Sequence, residues 1–110
     1  MNHIEHRLQY DCYQWFHNTY PQYRGLLCSN LSNSKNKVDG NRNKAMGLQA
    51  GRSDMVFYFK GIAYHIEIKT ETGVQSPEQR RWEALIESQF FLYYLIRSLE
   101  EFKTLIKSII

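Results

Sequence analysis

The sequence predicts an α/β fold, a mixed β-sheet flanked by helices in the order α-β-β-β-α-β-α. Three observations predict it. Met55–Phe59 and Ile62–Ile68 are rich in aromatic and β-branched residues, and Lys60-Gly61 between them is a two-residue hairpin loop with a glycine available for positive φ. Apolar residues recur at spacings of three and four near both ends of the chain: Ile4, Leu8, Cys12, Trp15 and Phe16, then Phe102, Leu105, Ile106 and Ile109. That is the period of a helix with one apolar stripe. Ser76-Pro77-Glu78-Gln79 is a helix start, with Ser as N-cap, Pro at the first helical position and Gln at the third.

The first helix spans about residues 2 to 19, with Glu5 beside its apolar stripe. An acid there is at least a favourable partner for the helix dipole. His3 and His6 read as polar surface residues. Tyr20-Pro21 ends this helix. A short first strand falls within Tyr23–Leu31, interrupted by Gly25. The stretch Ser32–Lys44 is polar, Asn-rich and without hydrophobic period, so it predicts a long loop. Ala45–Ala50 suits a short helical turn. Gly47 and Gly51 allow the backbone to approach a ligand or to enter the next strand tightly. After the hairpin, Thr70–Gln75 is a turn.

In the helix that Ser76 opens, Trp82, Leu85 and Ile86 form the expected buried stripe. Gln79 has two readings, as the closing member of a capping box or as a group reaching a site. Arg80 and Arg81 face elsewhere, as nucleic-acid contacts or as plain surface. Phe90–Ile96 is continuously apolar and predicts a buried central strand. Ser98-Leu-Glu-Glu101 repeats the N-cap pattern before the last helix.

Length and composition set bounds. With 110 residues, the expectation is one compact domain over residues 1–110. Eight Tyr, six Phe and two Trp supply a small aromatic core. No apolar run approaches the roughly 20 residues that span a bilayer, and the N-terminal residues lack a secretory apolar segment. Cys12 and Cys28 have no metal-like spacing, and both are expected to be reduced core residues of a cytoplasmic protein. The net charge is +3, unevenly spread. Arg24, Lys35, Lys37, Arg42, Lys44 and Arg52 face only Asp39 between residues 24 and 52, six basic groups against one acid, a local +5.

The hairpin carries the chemistry. A turn centred on Lys60-Gly61 places Asp54 opposite Glu67, with Cβ atoms about 5 Å apart. Two carboxylates at that distance repel unless a cation lies between them. Lys69 and His65 share the face of Glu67, His65 as a buried polar neighbour. Met55, Phe57, Phe59, Ile62, Tyr64, Ile66 and Ile68 point the other way. The hairpin is therefore expected to have an apolar back and a polar front. The bland alternative is a surface hairpin whose acidic pair is neutralised by Lys69.

Asp54 followed by Glu67-Ile68-Lys69 resembles the PD-(D/E)xK nuclease signature. With Gly47 and Gly51 before the aspartate and Ser76-Pro-Glu-Gln79 after it, the pattern is similar to the VRR-NUC (virus-type replication-repair nuclease) branch, and the match covers nearly the whole chain. Ser53 stands where that family usually has Pro, and Ser88-Gln89 where a Gly commonly precedes the last strand. The resemblance implies a restriction-endonuclease-like core. It also implies a metal site of Asp54, Glu67, the backbone carbonyl of Ile68 and Glu5, taking Mg²⁺ with Mn²⁺ as a substitute. Lys69 would orient or help deprotonate the attacking water, with Gln79 beside it. The implied activity is cleavage of branched DNA by a homodimer, as in a junction resolvase. A flap or restriction-type nuclease and a non-catalytic DNA-binding module are the alternatives. Against a metal site, the basic residues Lys35, Lys37, Arg42, Lys44 and Arg52 make sense as contacts to the phosphate backbone.

Overall fold

A computed structural model describes residues 3–30 and 36–110. Four strands form one sheet in the spatial order β1 (Leu27–Ser29), β2 (Met55–Phe59), β3 (Ile62–Ile68), β4 (Leu92–Ile96). The first two pairings are antiparallel and the third is parallel, so the sheet is mixed as expected. The hairpin ladder runs from Met55 opposite Ile66 to Phe59 opposite Ile62. Lys60 and Gly61 both have positive φ, the conformation a two-residue turn needs to match the strand twist. The turn thus sets the register, and Asp54 and Glu67 oppose each other one step beyond the last pair.

Helix α1 (His3–Thr19) and helix α4 (Leu99–Ile109) cover the back of the sheet. Phe16 meets Phe57 edge to face, and Trp15 meets Phe102. Cys12, Phe16, Phe57, Ile66, Ile68, Phe102 and Ile106 form the buried centre. Two expected members of the apolar faces lie outside it: Ile4 and Ile62 are exposed, because each sits at the end of its element, beyond the opposing layer. Cys28 is also exposed rather than core, whereas Cys12 is buried, and neither is in a disulfide.

Helix α3 (Pro77–Ser88) lies on the front. Its Trp82 packs edge-on against His65, and Val56 is fully buried on that face. The front of the hairpin is therefore polar only at its site end. Leu85, expected in the buried stripe of α3, is instead 61% exposed. The sheet presents Trp82 and Ile86 with a surface, and the helix rotates Leu85 away from it.

Two further expectations fail. The stretch read as a long loop contains helix α2 (Lys37–Ala45). It has no buried residue and includes Gly40, which costs about 1 kcal/mol in a helix interior. Local bonds hold it: the Asn36 side chain caps the Asp39 N–H at 2.8 Å, and Arg42 pairs with Asp39 at 2.8 Å. β4 is an edge strand, not a central one. Its first residue, Leu92, and the preceding Phe90 and Phe91 are exposed. Continuous apolarity cannot distinguish an edge strand with an uncovered flank from a buried one. Among the described residues no helix is long and apolar enough to cross a membrane.

Candidate functional site

The site forms at the end of the hairpin away from its turn. Asp54 leads into β2 and fastens across to β3, its Oδ2 accepting the Ile68 N–H at 2.7 Å. Strand alternation then puts Glu67 and Lys69 on the front face. Glu67 is 1% exposed, Lys69 8% and Glu5, from the first turn of α1, 6%. The Lys69 Nζ lies 3.6 Å from Glu67 Oε2 and 3.8 Å from Glu5 Oε1, a loose bridge between the two acids. Ile68 contributes only backbone here, since its side chain is in the core behind the sheet.

Gln79 fulfils both of its readings. Its Oε1 accepts the Ser76 N–H at 2.8 Å while its own N–H donates to Ser76 Oγ at 3.1 Å, which completes the capping box. With Oε1 committed, the remaining Nε2 can only donate, and it donates to Glu67 Oε2 at 2.6 Å. One Glu67 oxygen is thereby fixed. The other, Oε1, is buried and has no hydrogen-bond partner among the described residues.

An unsatisfied buried carboxylate oxygen is costly. Burial, reinforced by the charge of Asp54, pushes the Glu67 carboxyl up to about 8. Burial likewise raises Asp54, opposed by the Ile68 N–H and by Lys69. Both acids resist ionisation in the absence of a further cation. Among the described residues no group of three His, Cys, Asp or Glu side chains forms a ready metal cage.

These groups line a cleft of about 980 Å³. Asp54, Glu67, Lys69, Glu5 and Gln79 all face it, as do Lys44 and Arg52. Lys37 and Arg42 do not line it, and Lys35 lies outside the described residues. Gly51 explains how one wall is built. Its φ is +83°, and a Cβ there would stand 2.3 Å from the Glu78 carbonyl oxygen. The close approach that its sequence position allows is thus to the first turn of α3, rather than to a ligand.

Sequence reasoning missed Gln9, Ser29 and Asn30 in the cleft lining. Gln9 Nε2 donates to Ser29 Oγ at 3.2 Å, and Asn30 Nδ2 donates to the Ser53 carbonyl at 3.0 Å. No motif marks them: Gln9 arrives on α1, and Ser29 and Asn30 through the pairing of β1 with β2. Below this row, Ser53 Oγ lies 3.4 Å from His65 Nδ1. Burial, with Arg52 adding to it, lowers the His65 imidazole, as suits a neutral structural ring between Trp82 and Phe91.

No family model matches the sequence, nor does any curated protein. A solved structure described as a VRR_NUC domain protein does match, with a TM-score of 0.77 over 100% of this chain and 90% of that one. The two chains share a fold. They are 16% identical, so the likeness is one of backbone: a mixed sheet flanked by helices, as expected from the sequence, with α2 lying before the hairpin in this chain.

Proposed function

We propose that this chain is a metal-dependent endodeoxyribonuclease that hydrolyses phosphodiester bonds in branched DNA. The observation that carries the reading is the close pair of carboxylates on the cleft wall, Asp54 and Glu67, with Glu67 buried and its Oε1 without a hydrogen-bond partner among the described residues. The bland alternative, an acid pair neutralised by Lys69 at the surface, does not fit side chains buried this deeply. Desolvating three ionisable groups around one lysine opposes folding unless another charge joins them.

The residues fit a divalent cation. Asp54, Glu67 and the Ile68 carbonyl would hold Mg²⁺ or Mn²⁺ in a hard, oxygen-rich shell completed by water, and Glu5, which makes no three-acid cage with them among the described residues, would join through one of those waters. Such an ion lowers the pKa of water and stabilises charge on the phosphoryl oxygens.

The chain's own groups do the rest. Gln79 holds Glu67 Oε2, which fixes the carboxylate beside Asp54. Lys69, held between Glu5 and Glu67, presents an ammonium that orients the attacking water and offsets phosphate charge. Hydrolysis forms a bond from water oxygen to phosphorus and breaks the bond to the leaving sugar oxygen, which takes up a proton. The resemblance to VRR-NUC domains and the shared fold support nuclease chemistry. A homodimer would set two such clefts about a two-fold axis, suited to paired cuts in a junction.

The test is cleavage of a four-way junction, a flap, a plain duplex and a single strand, each with Mg²⁺, Mn²⁺ or EDTA. Paired, metal-dependent cuts in the junction alone are the expected result. Cutting of flaps or any duplex would keep the nuclease and discard the junction specificity. Junction binding without cutting in either metal would leave a binding module.

A further inference from the structure

Arg80 and Arg81 are adjacent in sequence, and their surroundings differ. Arg81 lies 3.4 Å from Glu78 and is outside the main cleft. Arg80 lines the cleft and makes no ion pair among the described residues. The two acids nearest to it in sequence on its own helix are committed elsewhere. Glu78 takes Arg81, and Glu83 accepts the Gln75 side-chain amide at 2.9 Å. Arg80 is nevertheless pinned, because its Nη1 donates to the Gln75 carbonyl at 2.7 Å. A neutral oxygen fixes the guanidinium without cancelling its charge.

Arg52 is held in the same manner. Its Nη2 donates to Asn30 Oδ1 at 2.9 Å, and Asn30 is itself oriented by its bond to the Ser53 carbonyl. Arg52 too makes no ion pair among the described residues. The Gly51 contact brings the two arginines into one neighbourhood, since Gly51 touches the backbone of Glu78 and Gln79 and each arginine is one residue further on. Planar guanidinium groups with charge intact and spare donors suit tetrahedral anions.

We propose that Arg52 and Arg80 form a two-armed phosphate clamp on the cleft wall, which grips a backbone phosphate of the nucleic acid next to the one at the carboxylates. This rests on the nuclease reading for its orientation, but its own claim is about binding. The clamp also separates Arg80 from Arg81, which the sequence left equivalent.

The test exploits that pair. Binding of a labelled duplex and a labelled four-way junction is measured in EDTA across a salt series for wild type, Arg80→Gln, Arg80→Lys, Arg52→Gln and Arg81→Gln, each checked for an unchanged melting temperature. Arg80→Gln and Arg81→Gln remove the same charge one residue apart. Arg80→Gln and Arg52→Gln are expected to weaken binding about tenfold each and to lower the salt slope by about one. Arg81→Gln should match wild type, and Arg80→Lys should retain the slope while losing part of the affinity. Equal losses in Arg80→Gln and Arg81→Gln would overturn the clamp, as would wild-type protein that binds neither probe. Failure of the nuclease reading looks different: no cleavage with either metal, with the Arg80-dependent binding intact.

Discussion

The two faces of β3 are buried to nearly the same degree and do opposite things. Ile66 and Ile68 point back into a core of Phe16, Phe57 and Phe102, where burial itself is the favourable term. Glu67 points forward beside Lys69, about as enclosed as the isoleucines, and there burial opposes the ionised form of its carboxyl. The back face holds the strand in place strongly enough for the front face to keep two opposed carboxylates and an unpartnered oxygen. Stability and chemistry are divided by a two-residue period, and substitutions on alternate positions separate them.

Glu67→Ala should have the largest effect and should break the front face alone. We expect DNA binding to persist and cleavage to fall by a thousandfold or more, about 4 kcal/mol in the barrier, with the melting temperature unchanged or higher. Undiminished cleavage would remove Glu67 from the site. On the back face, Ile66→Ala should do the reverse, lowering stability by about 3 kcal/mol while residual folded protein still cleaves, as denaturant melts and activity at low temperature would show.

Gln79→Ala touches stability and chemistry together, because one side chain serves both the α3 cap and Glu67. It removes half of the capping box and the donor to Glu67, so we expect a loss of about 1–2 kcal/mol in stability together with a drop in cleavage at saturating DNA. A stability loss with unchanged turnover would reduce Gln79 to a cap.

The pH dependence follows from Glu67. Its folded-state pKa is pushed up from 4.5 to about 8, so the folded state binds the proton more tightly than the unfolded chain. That contribution is fully present below the unfolded value and is lost as pH rises through the folded one. Metal-free protein should therefore become less stable from about pH 4.5 to about pH 8, and Glu67→Gln should flatten the decline. Added Mg²⁺ or Mn²⁺ should raise the melting temperature most above about pH 8, where the Glu67 carboxylate is ionised. The smallest effect concerns α2: Lys37→Gln and Arg42→Gln should change the salt slope of DNA binding less than Lys44→Gln, because only Lys44 lines the cleft.

Local chemistry was legible in advance. Lys60-Gly61 specified a turn, the turn specified the register, and the register set Asp54 against Glu67. Ser76-Pro77 and Gln79 specified a capped helix start in the same way. These are short-range statements, decided by φ preferences and by hydrogen bonds within a few residues. The helix at Lys37–Ala45 was also local, signalled by Asn36 as a cap, but it lacks the apolar stripe by which helices are usually read.

What the sequence could not decide was everything that depends on which layer covers which face. Only tertiary structure makes β4 an edge and leaves Leu85 in solvent. Only tertiary structure brings Glu5 to Lys69 across more than sixty residues of chain, and lets one Gln79 amide serve a helix cap and a carboxylate together. The unpartnered Glu67 oxygen belongs to the same class. Whether a buried polar atom is satisfied depends on every element packed around it, and those elements come from distant parts of the chain.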